Sequence, residues 1–325
     1  MSPFRRADDG WAAAIAIAGV ADRIARLEDA RGILHAAAQA LDAGSAQTAR
    51  RGASVFSDYA HDAAAAFGRR DAAADVCVVL DALIEGIKII DDIQDEEADC
   101  LATRIGEERA LAAAYAALAH GLDRAAALPL PEDAWRAALA AIARGIRQTA
   151  IGQQLEQVLK VKAAADFDSF WSVVDHKTPP LVATALELGA LAAGAAPAQA
   201  AALTRLAVPF GRLLQISDDC NDALGEHATD WRTPHLNLLM LFSLSGPNGA
   251  ELATLLRRET LREAQLWLLR DGALAYALHA QTTTLAALSA TLDSLDLPNP
   301  EPFVQTMQRR KQEAETLLAK MSLPS

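Results

Sequence analysis

Two acidic segments are the parts of this sequence best suited to chemistry. Both have the pattern Asp-Asp-x-x-Asp, and they lie 127 residues apart (218 − 91). Their six carboxylates are Asp91, Asp92, Asp95, Asp218, Asp219 and Asp222. Clustered carboxylates on an inward helix face are expensive to remove from water without a compensating cation. Oxygen ligands of this kind favour a hard divalent metal ion, so we predict that the six aspartates form a metal site.

Each acidic segment continues an apolar helix face. At about 100° per residue, Leu80 and Ile84 point in nearly the same direction as Asp91, and Gly211 points in nearly the same direction as Asp218. Two such helices facing each other would enclose a deep apolar pocket with carboxylates on both sides of its mouth.

The composition favours helices throughout. The chain of 325 residues is 52% hydrophobic and rich in Ala, with 5% aromatic residues. No alternating strand pattern and no low-complexity linker interrupts it. We therefore predict an all-α fold, a single domain over residues 1–325 with about ten to twelve helices around the pocket. The helices over 72–97 and 198–223 are expected to carry the two acidic segments.

Charge and cysteine content exclude several classes of function. A net charge of −12 argues against nucleic acid as a partner, because phosphate backbones require clustered Lys and Arg. The three cysteines show neither metal-ligand spacing nor an even-numbered disulfide framework, and the lack of a disulfide framework favours a cytoplasmic protein. We expect no transmembrane segment, since no stretch reaches about 18 uncharged apolar residues. We also expect no secretion signal, because Asp8 and Asp9 interrupt the N-terminal segment.

Two further motifs lie between the acidic segments, Gly152-Gln153 and Lys177-Thr178. Together and in this order, the four motifs resemble those of the trans-isoprenyl diphosphate synthase (polyprenyl synthetase) family, whose fold is shared with class I terpene cyclases. The resemblance covers roughly residues 45–240. It implies a prenyltransferase that ionises an allylic prenyl diphosphate and couples the carbocation to an acceptor. It further implies Mg²⁺ bound by the six aspartates, catalytic roles for Lys177 and Gln215 at the diphosphate, and a homodimer.

The sequence departs from the family on the acceptor side. The family's Gly-Gly-Lys-x-x-Arg segment should fall near residues 46–52, where only Arg50 and Arg51 carry positive charge. The arginine pair expected after the first acidic segment is missing, and Arg232 is the only Lys or Arg in the loop that follows the second segment, over residues 225–233. The predicted diphosphate contacts are Lys177, Gln215, Arg232, Arg50 and Arg51.

These departures leave several functions open. An elongating synthase binds isopentenyl diphosphate and needs a second cationic site, which Arg50, Arg51 and Arg104 would have to rebuild. A prenyltransferase with a non-diphosphate acceptor, similar to the moenomycin-type farnesyl-transferring enzymes, needs only the donor site. A class I terpene cyclase also needs only the donor diphosphate site. Such a cyclase usually has an aromatic-lined pocket, and only 5% of the residues of this chain are aromatic. A non-catalytic partner subunit is a fourth alternative, which the complete set of aspartates disfavours.

Overall fold

The described part of the chain is helical, as its composition predicts. The structure, a computed structural model, describes residues 54–97, 100–162, 165–225, 231, 233–258 and 260–321. The described residues include no β-strand, which confirms the predicted all-α class. Residues from Val55 onward form one compact unit. The predicted helices before residue 54, Arg50, Arg51 and Arg232 lie outside the described residues, so the extent of the single domain stays a prediction.

The described residues form fourteen α-helices, twelve of which have eight residues or more. They are α1 (Val55–Ala66), α2 (Ala74–Gln94), α3 (Leu101–Ile105), α4 (Glu107–Ala126), α5 (Glu132–Lys162), α6 (Phe167–Lys177), α7 (Pro179–Ala192), α8 (Pro197–Leu203), α9 (Ala207–Leu224), α10 (Leu238–Ser245), α11 (Gly249–Arg257), α12 (Leu261–Asp271), α13 (Ala273–Asp293) and α14 (Glu301–Met321). Short 3₁₀ helices cover Arg70–Ala73, Thr204–Leu206 and Pro234–Leu236. No helix in the described part of the chain is long and apolar enough to cross a membrane.

Prolines set two of the helix boundaries. The segment predicted as one helix over 198–223 is divided into α8, a 3₁₀ turn and α9. Pro209 lies in the first turn of α9 and has no N–H to donate to the preceding turn, so α8 cannot continue into α9. Likewise, Pro179 begins α7 and separates it from α6 at Thr178.

Helix α9 joins two hydrophobic cores. In the first core, Phe210 packs between Tyr59 of α1 and Phe303 of α14, with ring centroids 4.8 and 6.2 Å apart. In the second, Ile216 and Cys220 pack among the residues of α6 and α10–α13. Because α9 is buried on both sides, the second acidic segment at its C-terminal end is held in a fixed position.

Helix α2 is buried against α4 beneath the first acidic segment. Ile89 is buried in a small cluster with Ala110 and Ala114 of α4. These alanines allow close packing of the two helices, and the resulting contact fixes the last turn of α2.

Candidate active site

The first acidic segment lies at the C-terminal end of α2. Asp91 and Asp92 occupy the last turn, and Asp95 is the first residue beyond it. The helix dipole places partial negative charge at this end, so carboxylates here are destabilised unless cations are nearby. The cations come from α2 itself and from α5 and α6.

Lys177, the last residue of α6, lies among these carboxylates. Its Nζ is 2.7 Å from Oε2 of Glu156, 3.0 Å from Oδ1 of Asp91 and 3.9 Å from Oδ2 of Asp95. The side chain is 21% exposed. Burial alone would lower the pKa of Lys177, but the three carboxylates outweigh it and the pKa is raised. The ammonium therefore stays charged at neutral pH.

Glu156 of α5 completes a group that sequence reasoning missed. One carboxylate oxygen from each of Asp91, Asp95 and Glu156 lies within 4.8 Å of the others. Burial raises the pKa of Glu156 even though Lys177 opposes this shift. In the sequence, Glu156 is marked only by its position one turn after Gly152 on the same helix face, which does not show that it meets the aspartates beyond α2.

Gly152 is required by the close approach of α5 to the end of α6. A β-carbon at this position would lie 2.5 Å from the carbonyl oxygen of His176 and 2.6 Å from the amide nitrogen of Lys177. The hydroxyl of Thr149, one turn earlier, donates to the carbonyl oxygen of Lys177 (3.2 Å). The Gly152 and Lys177 motifs are therefore in direct contact.

Two other lysines pair with the first acidic segment. Lys88 Nζ is 2.8 Å from Oδ1 of Asp92, and its side chain is 65% exposed. Lys160 of α5 donates to Oδ1 of Asp95, and its side chain is only 17% exposed. The first pair is a surface contact within one helix, whereas the second connects two helices inside the site.

The second acidic segment has a structural role in addition to any ligand role. Asp219 is 1% exposed, and its carboxylate accepts from the amide of Gln215 (2.7 Å) and from the backbone N–H of Leu238 (2.8 Å). Asn237 also donates to the carbonyl oxygen of Asp219 (2.8 Å). Gln215 thus orients Asp219, and Asp219 anchors the start of α10.

Asp218 and Asp222 remain accessible. Asp218 is exposed and Asp222 is partly exposed. Among the described residues, the three-carboxylate group contains no member of the second segment. The predicted metal ligation by Asp218, Asp219 and Asp222 therefore stays a prediction, as do the predicted roles of Arg50, Arg51 and Arg232.

Helix α9 is attached to the same segment that carries Lys177. A β-carbon on Gly211 would lie 2.5 Å from Cγ of Pro179, so α9 approaches the α6–α7 junction closely. Arg212 forms a bidentate ion pair with Asp175 of α6, with both distances 2.7 Å. Asp218 follows Gly211 by seven residues and so lies on the same face of α9, within about 20°. Helix α9 is therefore fixed against the α6–α7 junction, and the aspartates at the end of α2 pair with Lys177 at the same junction.

The fold is similar to those of several solved structures. Geranylgeranyl pyrophosphate synthase from Corynebacterium glutamicum, in complex with calcium and isoprenyl diphosphate, is 25% identical, with a TM-score of 0.67 over 90% of this chain and 98% of that chain. Polyprenyl synthase from Caulobacter crescentus CB15, with the same ligands, is 22% identical, with a TM-score of 0.65 over 80% and 82%. Geranylgeranyl pyrophosphate synthetase from Pyrococcus horikoshii is 17% identical, with a TM-score of 0.68 over 81% and 84%. No curated protein sequence matches the chain significantly.

The family assignment comes from the sequence itself. The family described as polyprenyl synthetase matches residues 41–264, more than half of the chain and a range that includes all four motifs. The structural matches show the isoprenoid synthase fold independently. The chain therefore belongs to the polyprenyl synthetase family and is a prenyltransferase.

Proposed function

We propose that this prenyltransferase is Mg²⁺-dependent, ionises an allylic prenyl diphosphate and couples the carbocation to isopentenyl diphosphate. The carbon–oxygen bond breaks with its electrons going to the departing diphosphate. The double bond of the acceptor then forms the new carbon–carbon bond, and the acceptor loses a proton. The observation that carries the proposal is the three-carboxylate group of Asp91, Asp95 and Glu156 with Lys177 beside it.

The carboxylate group fits a divalent metal ion. It offers oxygen ligands alone, as Mg²⁺ prefers, and they are close enough to share one ion. Oδ1 of Asp91 is buried and lies within ion-pair distance of Lys177, yet no donor in the described part of the chain is aligned to hydrogen-bond with it. We propose that Asp91, Asp95 and Glu156 hold Mg²⁺, with Asp92, Asp218 and Asp222 as additional ligands. Mg²⁺ would act there as a Lewis acid on the diphosphate oxygens.

Lys177 supports the same step directly. Its side chain is largely buried and its pKa is raised, so it presents a permanent positive charge where negative charge develops on the leaving group. Gln215 acts on this site through Asp219, which it holds by a hydrogen bond.

The acceptor is proposed from the relatives. The structures from Corynebacterium glutamicum and Caulobacter crescentus contain isoprenyl diphosphate, and several similar structures are geranylgeranyl pyrophosphate synthases. Elongation by this chain would require Arg50, Arg51 or Arg104 to hold the second diphosphate. A non-diphosphate acceptor and terpene cyclisation remain the alternatives, and both would use the same donor site.

We also propose that the chain forms a homodimer. Helices α4 and α5 each expose an apolar stripe at helical spacing. The stripe residues are Tyr115 and Leu122 on α4, and Ile151, Leu155 and Val158 on α5. Tyr115 is 68% exposed, which is unusual for a large aromatic residue and is typical of a surface that another chain covers.

Pyrophosphate release tests the proposed donor reaction. Purified protein incubated with geranyl, farnesyl or geranylgeranyl diphosphate should release pyrophosphate with Mg²⁺ and not with EDTA. The variant Asp91→Asn should be defective, while a matched exposed change, Asp123→Asn on α4, should not. Release that is independent of Mg²⁺, or that survives Asp91→Asn, would contradict the proposal.

A further inference from the structure

Lys160 occupies a position inside the site that none of the four motifs includes. It follows Gly152 by eight residues and Glu156 by four, so all three lie on one face of α5. Gly152 allows this face to contact the end of α6, and Glu156 contacts Lys177. The ammonium of Lys160 reaches across to Asp95, the residue that follows α2.

A divalent ion at the carboxylate group would compete with Lys160 for its partner. Asp95 is both a member of the candidate metal group and the acceptor of the Lys160 hydrogen bond. The Lys160 side chain is only 17% exposed, so its ammonium would be destabilised if no anion lay beside it. When Asp95 binds the metal ion, the diphosphate bound to the same ion becomes the available anion. The flexible side chain of Lys160 allows its ammonium to move from Asp95 to a phosphate oxygen.

The charges at the site favour this exchange. Asp91, Asp95 and Glu156 with Lys160 and Lys177 carry a formal charge of −1 (−3 + 2). A divalent ion arriving alone would make this +1, whereas one arriving with an anionic diphosphate would be compensated. Each of the two ligands is therefore expected to strengthen the binding of the other.

We propose that Lys160 is a further diphosphate-binding residue, which pairs with Asp95 in the free protein and with a phosphate oxygen in the complex. This inference rests on the proposed function and extends it to a residue outside the family motifs. Lys162, two residues further along α5, is exposed and serves as the matched control.

Two calorimetric titrations test this role without measuring catalysis. Inorganic pyrophosphate is titrated into the protein in excess Mg²⁺, and Mg²⁺ is titrated alone. For Lys160→Gln we expect pyrophosphate to bind about 10- to 100-fold more weakly, the range for losing one charged hydrogen bond. Mg²⁺ alone should bind Lys160→Gln as tightly as the wild type or more tightly, because a competitor for Asp95 is gone. Lys162→Gln should match the wild type in both titrations.

A second variant guards against a folding defect. Lys160→Arg keeps the charge and should retain pyrophosphate affinity within a few-fold, with an unchanged circular dichroism spectrum. If Lys160→Gln binds pyrophosphate as tightly as the wild type or more tightly, Lys160 only anchors α5 to α2 and the inference is wrong. If the wild type itself binds no pyrophosphate with Mg²⁺, both the inference and the proposed function fail.

Discussion

Gly152 and Lys177 are in backbone contact, because a β-carbon on Gly152 would lie 2.6 Å from the amide nitrogen of Lys177. This contact connects two sequence motifs that are 25 residues apart (177 − 152). It places the base of the Lys177 side chain against α5, from which Glu156 reaches the same ammonium (2.7 Å). A glycine with no catalytic atom thus sets the position of the site's main cation.

Replacing Gly152 with alanine should therefore lower the free energy of unfolding, although alanine has the higher helix propensity. Propensity alone would favour alanine by about 1 kcal/mol. The new methyl group would contact backbone atoms, which cannot move aside as a flexible side chain does, so we expect a net loss of about 1–3 kcal/mol. Urea unfolding measures this loss, and pyrophosphate release should fall with it. Gln154→Ala, an exposed site on the same helix, is the control. If Gly152→Ala were more stable than the wild type and fully active, the close contact between Gly152 and the end of α6 would be wrong.

Glu156→Gln should weaken metal binding without unfolding the protein. The substitution removes one of three candidate ligands and one of the carboxylates that hold Lys177. We expect the Mg²⁺ concentration for half-maximal activity to rise about 10- to 100-fold, the range seen when metal sites lose a supporting carboxylate. Glu132→Gln, at the exposed beginning of α5, should leave that concentration unchanged. If both variants required the same Mg²⁺ concentration, Glu156 would not be a metal ligand.

Asp218 and Asp219 should differ in what they contribute. Asp219→Ala would leave the Gln215 amide and the Leu238 N–H without their buried acceptor, so stability should fall by about 1–3 kcal/mol. Asp218→Ala, at an exposed position, should reduce stability less than Asp219→Ala does, because exposed groups lose less when they are removed. Thermal unfolding of the two variants provides the comparison. A larger stability loss for Asp218→Ala would show that the buried network is assigned to the wrong aspartate.

The proposed dimer can be tested on its exposed stripe. Tyr115→Glu places a charge on the apolar stripe of α4 and should shift the protein to monomers in analytical ultracentrifugation. His120→Glu lies on α4 about 140° away from Tyr115 and should keep the wild-type mass. A monomeric wild type would exclude the dimer at the concentrations tested.

The sequence predicted the helical class and both acidic segments because these depend on local patterns. Helix periodicity placed Asp91 and Asp95 near one face, and their carboxylates do meet. The resemblance of Lys177-Thr178 to a family motif also identified Lys177, which lies with them. These predictions needed no knowledge of how distant helices pack.

Tertiary packing decided the rest. Glu156 and Lys160 belong to the site only because α5 crosses the end of α6 at Gly152, which periodicity within α5 cannot show. The buried role of Asp219 depends on α10, whose first backbone N–H it accepts. Repeated spacing alone therefore made the two acidic segments look equivalent, although their carboxylates have different surroundings.

The decisive measurement is the product formed from farnesyl diphosphate, Mg²⁺ and isopentenyl diphosphate, with the organic extract analysed by mass. We expect pyrophosphate release together with a product longer by one isoprene unit, and loss of both in Asp95→Asn. Release without elongation would show that the donor site works, and would favour cyclisation or another acceptor over isopentenyl diphosphate. If no allylic donor released pyrophosphate, with or without isopentenyl diphosphate, the proposal that the carboxylates and Lys177 ionise a prenyl diphosphate would be wrong.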